Sequence, residues 1–285
     1  MSINPFKHTI SAEHLEAIKK AKLAMEHMGS AIKGVNLVGN TLETGSKLIP
    51  KKALTVIQKS TEKILLGLLK ANLLTISKNK TIKEPSKKTY KAIVMGSGAV
   101  GGFFGSMTGV GTAIFVSEMT ITTKFILRSI MDIARSQGED IYTLEGQMQC
   151  LEVFALGGQS KDDDGMDTSY YIARAALSAY LKSATAASVQ TAIKAAAKGA
   201  SAMGSNAITK LITQIAARYS VLITEKLMAQ AIPIAGAVGG GSMNFIFINH
   251  FQKMATAHFT LRRLERKYGE ELIMKTYNEL NINKN

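Results

Sequence analysis

The chain has 285 residues, 46% of them hydrophobic, and a formal net charge of +14. That length and apolar content exclude intrinsic disorder and support one domain or two intimately packed helical halves. The single cysteine, Cys150, excludes an intramolecular disulfide and fits a reducing compartment with a buried, inert thiol.

The first twenty residues, MSINPFKHTISAEHLEAIKK, lack the apolar run and small-residue cleavage site of a secretory signal, so a cytoplasmic protein is expected. Residues 1–91 hold 17 Lys, no Arg and 6 Glu or Asp, a balance of +11, while the rest carries 18 basic and 15 acidic groups. Any basic partner surface is therefore N-terminal. Lysine without arginine, with no Trp in the chain, disfavours nucleic-acid readout and fits diffuse attraction to anionic lipid headgroups. A merely solvated helical face is the plain alternative.

In chain order, Ser11 is a candidate N-cap for an amphipathic helix over 11–28, whose apolar stripe is Leu15, Ile18, Ala21, Met25 and Met28. Pro50 suits the first turn of a second helix with the stripe Leu54, Ile57, Thr61, Ile64, Leu65 and Leu68, weakened at Gly67. Its lysines Lys51, Lys52, Lys59, Lys63 and Lys70 are the candidate membrane-surface cations. Residues 77–88 are polar, contain a proline and read as a linker. This divides the chain into a basic part (1–84), a helical core (85–275) and a frayed tail (276–285).

Two stretches carry no charge, 92–117 over 26 positions and 227–249 over 23. Their length permits a membrane span, but they are rich in glycine and small residues. Gly98/Gly102, Gly101/Gly105 and Gly236/Gly240 have the spacing that lets helix backbones approach closely. The reading preferred here is an all-α multi-helix bundle with these two glycine-rich apolar helices packed on each other. Bilayer insertion is the minority alternative. A weak echo at an offset of 134 relates Phe125-Ile126-Leu127-Arg128 to Phe259-Thr260-Leu261-Arg262, Gly102 to Gly236 and Gly105 to Gly239, which suggests duplication. Residues 170–181 and the alanine-rich 184–202 have helix propensity.

No motif specifies chemistry. Gly96-Ser97-Gly98-Ala99-Val100-Gly101 matches a dinucleotide fingerprint after the strand-like KAIVM, with Glu118 at roughly the spacing of a ribose-binding acid. However, FFGSMTGVG is too short and glycine-rich for the helix such a site needs, and no β-α alternation follows. Continued glycines at 102, 105 and 109 suit helix packing better, so no cofactor is expected. Ser60-Thr61-Glu62-Lys63 and Ser30-Ala31-Ile32-Lys33 fit SxxK without any companion motif, so no catalytic residue is assigned. His250 and His258 share one helix face with Met254 between them, too few ligands for a metal. The acidic run Asp162-Asp163-Asp164-Gly165-Met166-Asp167 lacks calcium-loop spacing, and Asp167 or Thr168 caps the next helix instead.

Gly101-Gly102-Phe103-Phe104-Gly105, Leu127-Arg128-Ser129-Ile130, Ile133-Ala134 and Gly138-Glu139-Asp140 resemble the central signature of the EcsC family. Pro233-Ile234, Gly236, Asn244, Phe247, Phe251, Ala257, Phe259 and Leu264-Glu265-Arg266-Lys267-Tyr268-Gly269 resemble its closing block, so the likeness spans about residues 90–270. Glu118 stands where the family usually has aspartate. The resemblance implies a largely helical bacterial protein without established enzymatic activity, from a family named after a gene that neighbours ABC-transporter components.

The leading expectation is a non-catalytic, peripherally membrane-associated protein that meets an anionic surface or a lipid-like ligand. Glu118, Arg128, Arg262, Glu265, His250 and His258 are the candidate polar groups near its apolar centre, where charges are costly unless paired. The alternatives are a scaffold for membrane transporter proteins, and a hydrolase or lipid-modifying enzyme using Glu118, His250 or His258.

Overall fold

Ser11 opens the first helix by the means its side chain allows. Its Oγ accepts a hydrogen bond from the His14 N–H at 3.3 Å and caps α1 (Ala12–Glu26). Ile18, Ala21 and Met25 are buried, whereas Leu15, the first member of the expected stripe, is 40% exposed. The computed structural model describes residues 10–26, 51–76, 84–103, 109–156, 170–181, 207–230 and 233–281. In these residues α2 (Lys51–Thr75) and α3 (Lys87–Phe103) follow, then α4 (Gly109–Ser136), α5 (Leu144–Leu156) and α6 (Tyr170–Leu181). The chain continues through α7 (Ala207–Gln230), α8 (Pro233–Tyr268) and α9 (Glu270–Glu279). Among the described residues all regular structure is helical, so the protein is an all-α multi-helix bundle.

The 36-residue α8, about 54 Å long at 1.5 Å per residue, is the element around which the others pack. It contacts α1, α3, α4, α5, α7 and α9, while α2 packs on α4 and α7. Ile57, Thr61, Leu65 and Leu68 form the buried stripe of α2. Phe154 of α5, Tyr219 of α7 and Phe251 of α8 form an aromatic cluster, with ring centroids 4.6 to 5.5 Å apart. Their mutual tilts suit the ring quadrupoles, and their burial locks the three helices together.

The closest partner of α8 is α3, and polar contacts fix their direction. Lys87 Nζ donates to Thr256 Oγ1, Lys91 Nζ to Asn249 Oδ1, and Asn244 Nδ2 to the Val94 carbonyl. Partners descend along α8 as numbers rise along α3, so the helices are antiparallel. The two uncharged stretches are not one helix each: in the described residues 92–103 lie in α3 and 109–117 in α4, and 227–230 lie in α7 and 233–249 in α8. Of the glycines expected to set their spacing, Gly98, Gly101 and Gly102 stand in the last turns of α3, and Gly236 and Gly240 in the first turns of α8. What surrounds these five falls outside what is described, and Gly105 lies outside the described residues altogether. Polar contacts at 87, 91 and 94 on α3 and 256, 249 and 244 on α8 join the two helices. Among the described residues no helix is long and apolar enough to cross a membrane.

The dinucleotide-like GxGxxG lies inside α3, with the preceding KAIVM also helical, so no strand precedes the glycines and no helix opens at them. The internal echo relates unlike pieces. Gly102 ends in α3 and Phe125 stands in α4, whereas Gly236 and Phe259 share one continuous helix. The C-terminal helix runs through Glu279, four residues into the expected frayed tail. Buried Tyr277 and the Lys22 ammonium hold it there, the latter donating to the carbonyls of Leu280 at 2.8 Å and Asn278 at 3.4 Å. A cation is favourable at this helix end because unpaired carbonyls and the helix dipole concentrate negative charge there. The SxxK at 30–33, the acidic run at 162–167 and the alanine-rich stretch at 184–202 lie outside the described residues.

Candidate functional site

Two polar regions flank α8. The first is an ionic centre between α4, α5, α6 and α8, built on the turn that joins α4 to α5. Gly138 ends α4 in the left-handed region, at φ +78°, and donates its N–H to the Arg135 carbonyl while Glu139 donates to that of Ala134. This paired closure satisfies the end of α4 and aims Glu139 back at α8. Asp140 Oδ1 then accepts the Tyr142 N–H, and Thr143 Oγ1 caps α5 by accepting the Gly146 N–H at 3.0 Å. Gly146 has no room for a side chain, since a Cβ there would stand 2.0 Å from the Asp140 carbonyl oxygen.

Onto this turn Arg262 places both arms, its Nε and one terminal nitrogen meeting the two Glu139 oxygens at 3.1 and 2.7 Å. The same terminal nitrogen reaches Glu145 at 2.8 Å. Arg266 adds a bond to Glu139 at 2.6 Å and another to the Gln137 carbonyl at 2.7 Å. Burial pushes the Glu139 carboxyl up, but the hydrogen bonds and charges of Arg262 and Arg266 outweigh it and hold the group below its ordinary value. One turn away Glu265 accepts from Arg174 at 2.6 Å and from the Tyr171 hydroxyl at 2.9 Å.

Deeper in the same centre, Glu152 is fully buried, and neither of its oxygens has a hydrogen-bond partner among the described residues. Burial pushes its carboxyl up to about 7, against the pull of Arg174 and Arg262. His258, also fully buried, has Nδ1 2.9 Å from the Tyr170 hydroxyl. Arg174 donates to that hydroxyl oxygen at 3.4 Å. Burial, then the nearby Arg174 and Arg262 charges, holds His258 well below the ordinary histidine value, so its imidazole is neutral. The Cys150 thiol is buried and pushed up, chiefly by burial, in keeping with an inert role.

The second region is an open cleft of about 400 Å³ between α1, the start of α3 and the middle of α8. Lys20, Lys87, Lys91 and Lys253 line it, with Ala17, Ala21, Ala24 and Ala257 as apolar wall and Asn249, Gln252, Thr256 and Thr260 as neutral polar groups. No carboxylate is among these lining residues. Lys87 is held by its 2.9 Å bond to Thr256 Oγ1, and Lys91 by its 2.7 Å bond to Asn249 Oδ1. Gln252, buried beneath them, donates to the Lys87 carbonyl at 3.0 Å and to Ser129 Oγ at 2.9 Å, which ties the cleft floor to α3 and α4. Burial and then the neighbouring Lys91 lower the Lys87 ammonium, and burial and then Lys253 lower Lys91. Lys87 thus feels the like charge of Lys91, and Lys91 that of Lys253.

The EcsC protein family model matches residues 12–264, from the first helix to the Arg262 turn of α8. The chain belongs to the EcsC protein family. Comparison with curated proteins and with solved structures finds no match. The match extends well before the residues that carry the likeness in sequence, so α1 and α2 are part of what this EcsC chain shares with its family.

Within the EcsC fold the six candidate polar residues separate. Arg262, Glu265 and His258 lie in the ionic centre, each with a partner not foreseen: Glu139 and Glu145, Arg174, and Tyr170. Glu118 pairs elsewhere, with Lys226 of α7 at 3.0 Å, both side chains buried. Burial lowers Lys226, although Glu118 favours its charge. Arg128 closes the C-terminus of α2, donating to Thr75 Oγ1 at 2.5 Å and to the carbonyls of Thr75 and Asn72 at 3.3 and 3.5 Å. His250 is buried with its ring edge-on to Phe251, 5.1 Å between centroids. Lys59 and Lys63 are exposed on α2 and do not line the cleft, and the side chains of Lys51, Lys52 and Lys70 fall outside those described. Sequence reasoning missed Glu152, Arg174, Lys226 and the cleft lysines. Lys87 and Lys91, one turn apart at the start of a helix, were the available signal. Among the described residues no group of three His, Cys, Asp or Glu is placed to hold a metal ion.

Proposed function

We propose that this protein is a non-catalytic, peripherally membrane-associated binding protein that takes an anionic lipid surface at the lysine cleft between α1, α3 and α8. One observation carries the reading: Lys87, Lys91 and Lys253 line a cleft of about 400 Å³ with no carboxylate among its lining residues, while the fourth lining lysine, Lys20, pairs with Glu16 at 3.9 Å. A cation cluster normally recruits acidic neighbours, so one left unneutralised is a surface with a use for its field. The groove also turns apolar beyond Lys91. Met95, one turn further along α3, is 40% exposed, and Phe245, one turn before Asn249 on α8, is 39% exposed with its ring 5.2 Å from the Lys91 ammonium. Ammonium groups beside exposed apolar side chains suit the boundary between headgroups and acyl chains. The cytoplasmic face of a membrane, with its anionic leaflet, is the proposed location.

Sedimentation with vesicles tests this. Binding to vesicles containing anionic phospholipid, absent with neutral vesicles and weakened by salt, is the expected result. Replacing Lys87, Lys91 and Lys253 by Gln reduces it, whereas Lys59→Gln with Lys63→Gln removes fewer charges from another helix and serves as the control. Equal retention of the cleft variant and the intact chain on anionic vesicles would reject the cleft as the contact.

A further inference from the structure

Resting on that membrane reading and sharpening it, we infer that the cleft is a site for a phosphoryl group carrying two negative charges, such as a phosphomonoester headgroup, rather than for smeared surface charge. The geometry of the lysines supports this. Lys87 and Lys91 are each fixed by one hydrogen bond to a neutral acceptor, Thr256 Oγ1 and Asn249 Oδ1, which uses one N–H of each ammonium and leaves two. Two oriented ammonium groups on one helix face, with Lys253 across from them on α8, offer point charges from several directions. That arrangement suits the distributed oxygens of a tetrahedral anion, whereas a planar carboxylate is better met by the fork of an arginine, and no arginine lines the cleft.

The local backbone adds to the argument. Lys87 and Lys88 are the first two residues of α3, which has no acidic residue in its first turn. A helix start carries partial positive charge and normally favours Asp or Glu, so lysines there are placed against the dipole. An anion bound at Lys87 offsets that cost by neutralising the ammonium group beside the helix start. A phosphomonoester has a charge of about −1.5 to −2 near neutrality, enough to neutralise two of the three lysines, whereas a phosphodiester brings only one charge. The cleft volume falls within the range of small-molecule sites, so the phosphoryl group can arrive with the organic part that bears it.

The experiment compares vesicles containing phosphatidic acid, a phosphomonoester, with vesicles of phosphatidylglycerol, a phosphodiester, matched in surface potential, and runs in parallel a calorimetric titration with glycerol 3-phosphate. The expected result is at least roughly tenfold tighter binding to the phosphomonoester vesicles, the factor one charge-assisted hydrogen bond is worth. The Lys87→Gln/Lys91→Gln/Lys253→Gln variant loses that preference. Its thermal melt serves as a fold check, and each single Gln substitution, read on its own, keeps the test decisive should the triple variant unfold. Equal binding to both anionic vesicles overturns the phosphoryl site and leaves the membrane reading standing. Lysine-dependent binding of glycerol 3-phosphate with no sedimentation on any vesicle supports the phosphoryl site with a soluble source and overturns the membrane reading. Binding to none of these overturns both.

Discussion

The ionic centre and the lysine cleft sit on different flanks of one long helix and treat charge in opposite ways. In the centre, Arg262, Arg266 and Arg174 meet Glu139, Glu145 and Glu265 at 2.6 to 2.8 Å, mostly within buried surroundings. In the cleft, Lys87 and Lys91 donate to neutral acceptors, and Lys91 stands near the like charges of Lys87 and Lys253. The difference teaches that charge count says little until partners are known. A charge buried with its partner holds the fold, because removing either member strands the other away from water. A like-charge cluster left uncompensated at an open surface opposes folding slightly through repulsion and is available to a ligand. Stability and binding should therefore separate cleanly between the two regions.

The largest expected break is at Arg262. Arg262→Met leaves the largely buried Glu139 with Arg266 alone and should destabilise the protein by about 3–5 kcal/mol, or roughly 10 °C in Tm for a chain of this size. Thermal unfolding followed by circular dichroism measures it. A loss below about 1 kcal/mol would mean that Arg266 suffices and that the centre is not an interlocked network.

Next is the pH response of Glu152, whose sign is opposite to that of its neighbour Glu139. Glu152 has a folded value of about 7, raised from 4.5, so the folded state retains the proton longer than the unfolded chain does. Its contribution is full below pH 4.5 and is lost as pH rises to about 7, a difference of about 3 kcal/mol. Glu139 is lowered, so its contribution is present above pH 4.5 and is lost on acidification. Subtracting the profile of Glu152→Gln from that of the intact chain isolates the first effect. The variant should be the more stable of the two at pH 8 and close to the intact chain at pH 4. A difference that does not change with pH would show that Glu152 titrates normally.

The turn beneath the centre gives a smaller break. Gly146→Ala places a methyl carbon 2.0 Å from the Asp140 carbonyl oxygen, a backbone atom that cannot swing aside, so the turn must shift at a cost of about 1–3 kcal/mol. A neutral result in a chemical unfolding titration would mean that the α4–α5 turn does not hold Glu139 in place.

Local signals were legible in the sequence and long-range pairings were not. Ser11 as a cap, the buried face of α2 and the shared face of His250, Met254 and His258 follow from side-chain chemistry and the helical repeat. The strand-like reading of KAIVM before the glycines is a local misreading, since residues 91–95 are helical within α3. Lys226, by contrast, lies 108 residues from Glu118, and Glu139 lies 123 from Arg262. No local rule selects those partners. Glu152 was missed because its neighbourhood, MQCLEVFAL, is apolar without a conspicuous motif, and only the packing of α5 shows that its carboxyl points into the core. The cleft was missed for a related reason: α3 and α8 must be antiparallel before Lys87, Lys91 and Lys253 share a wall. Lysine counts drew attention to α2, where Lys59 and Lys63 are exposed on a helix that packs on α4 and α7.

The smallest expected change in folding sharpens the comparison most. Lys253 is exposed and bears on Lys91 only by repulsion, so Lys253→Gln should alter stability by no more than about 0.5 kcal/mol, with relief of repulsion favouring the variant. The intact chain should gain stability as pH rises toward 10.5, because Lys87 and Lys91 have folded values below that ordinary value and shed protons more readily than the unfolded chain does. Moderate sodium chloride should give a similar gain through screening, and the variant should show less of it. At Arg262 salt should act in the other direction or hardly at all, since its partner is attractive and largely buried. If Lys253→Gln instead destabilised the protein as Arg262→Met does, the cleft lysines would be structural charges, and the case for a ligand that neutralises them would lose its physical basis.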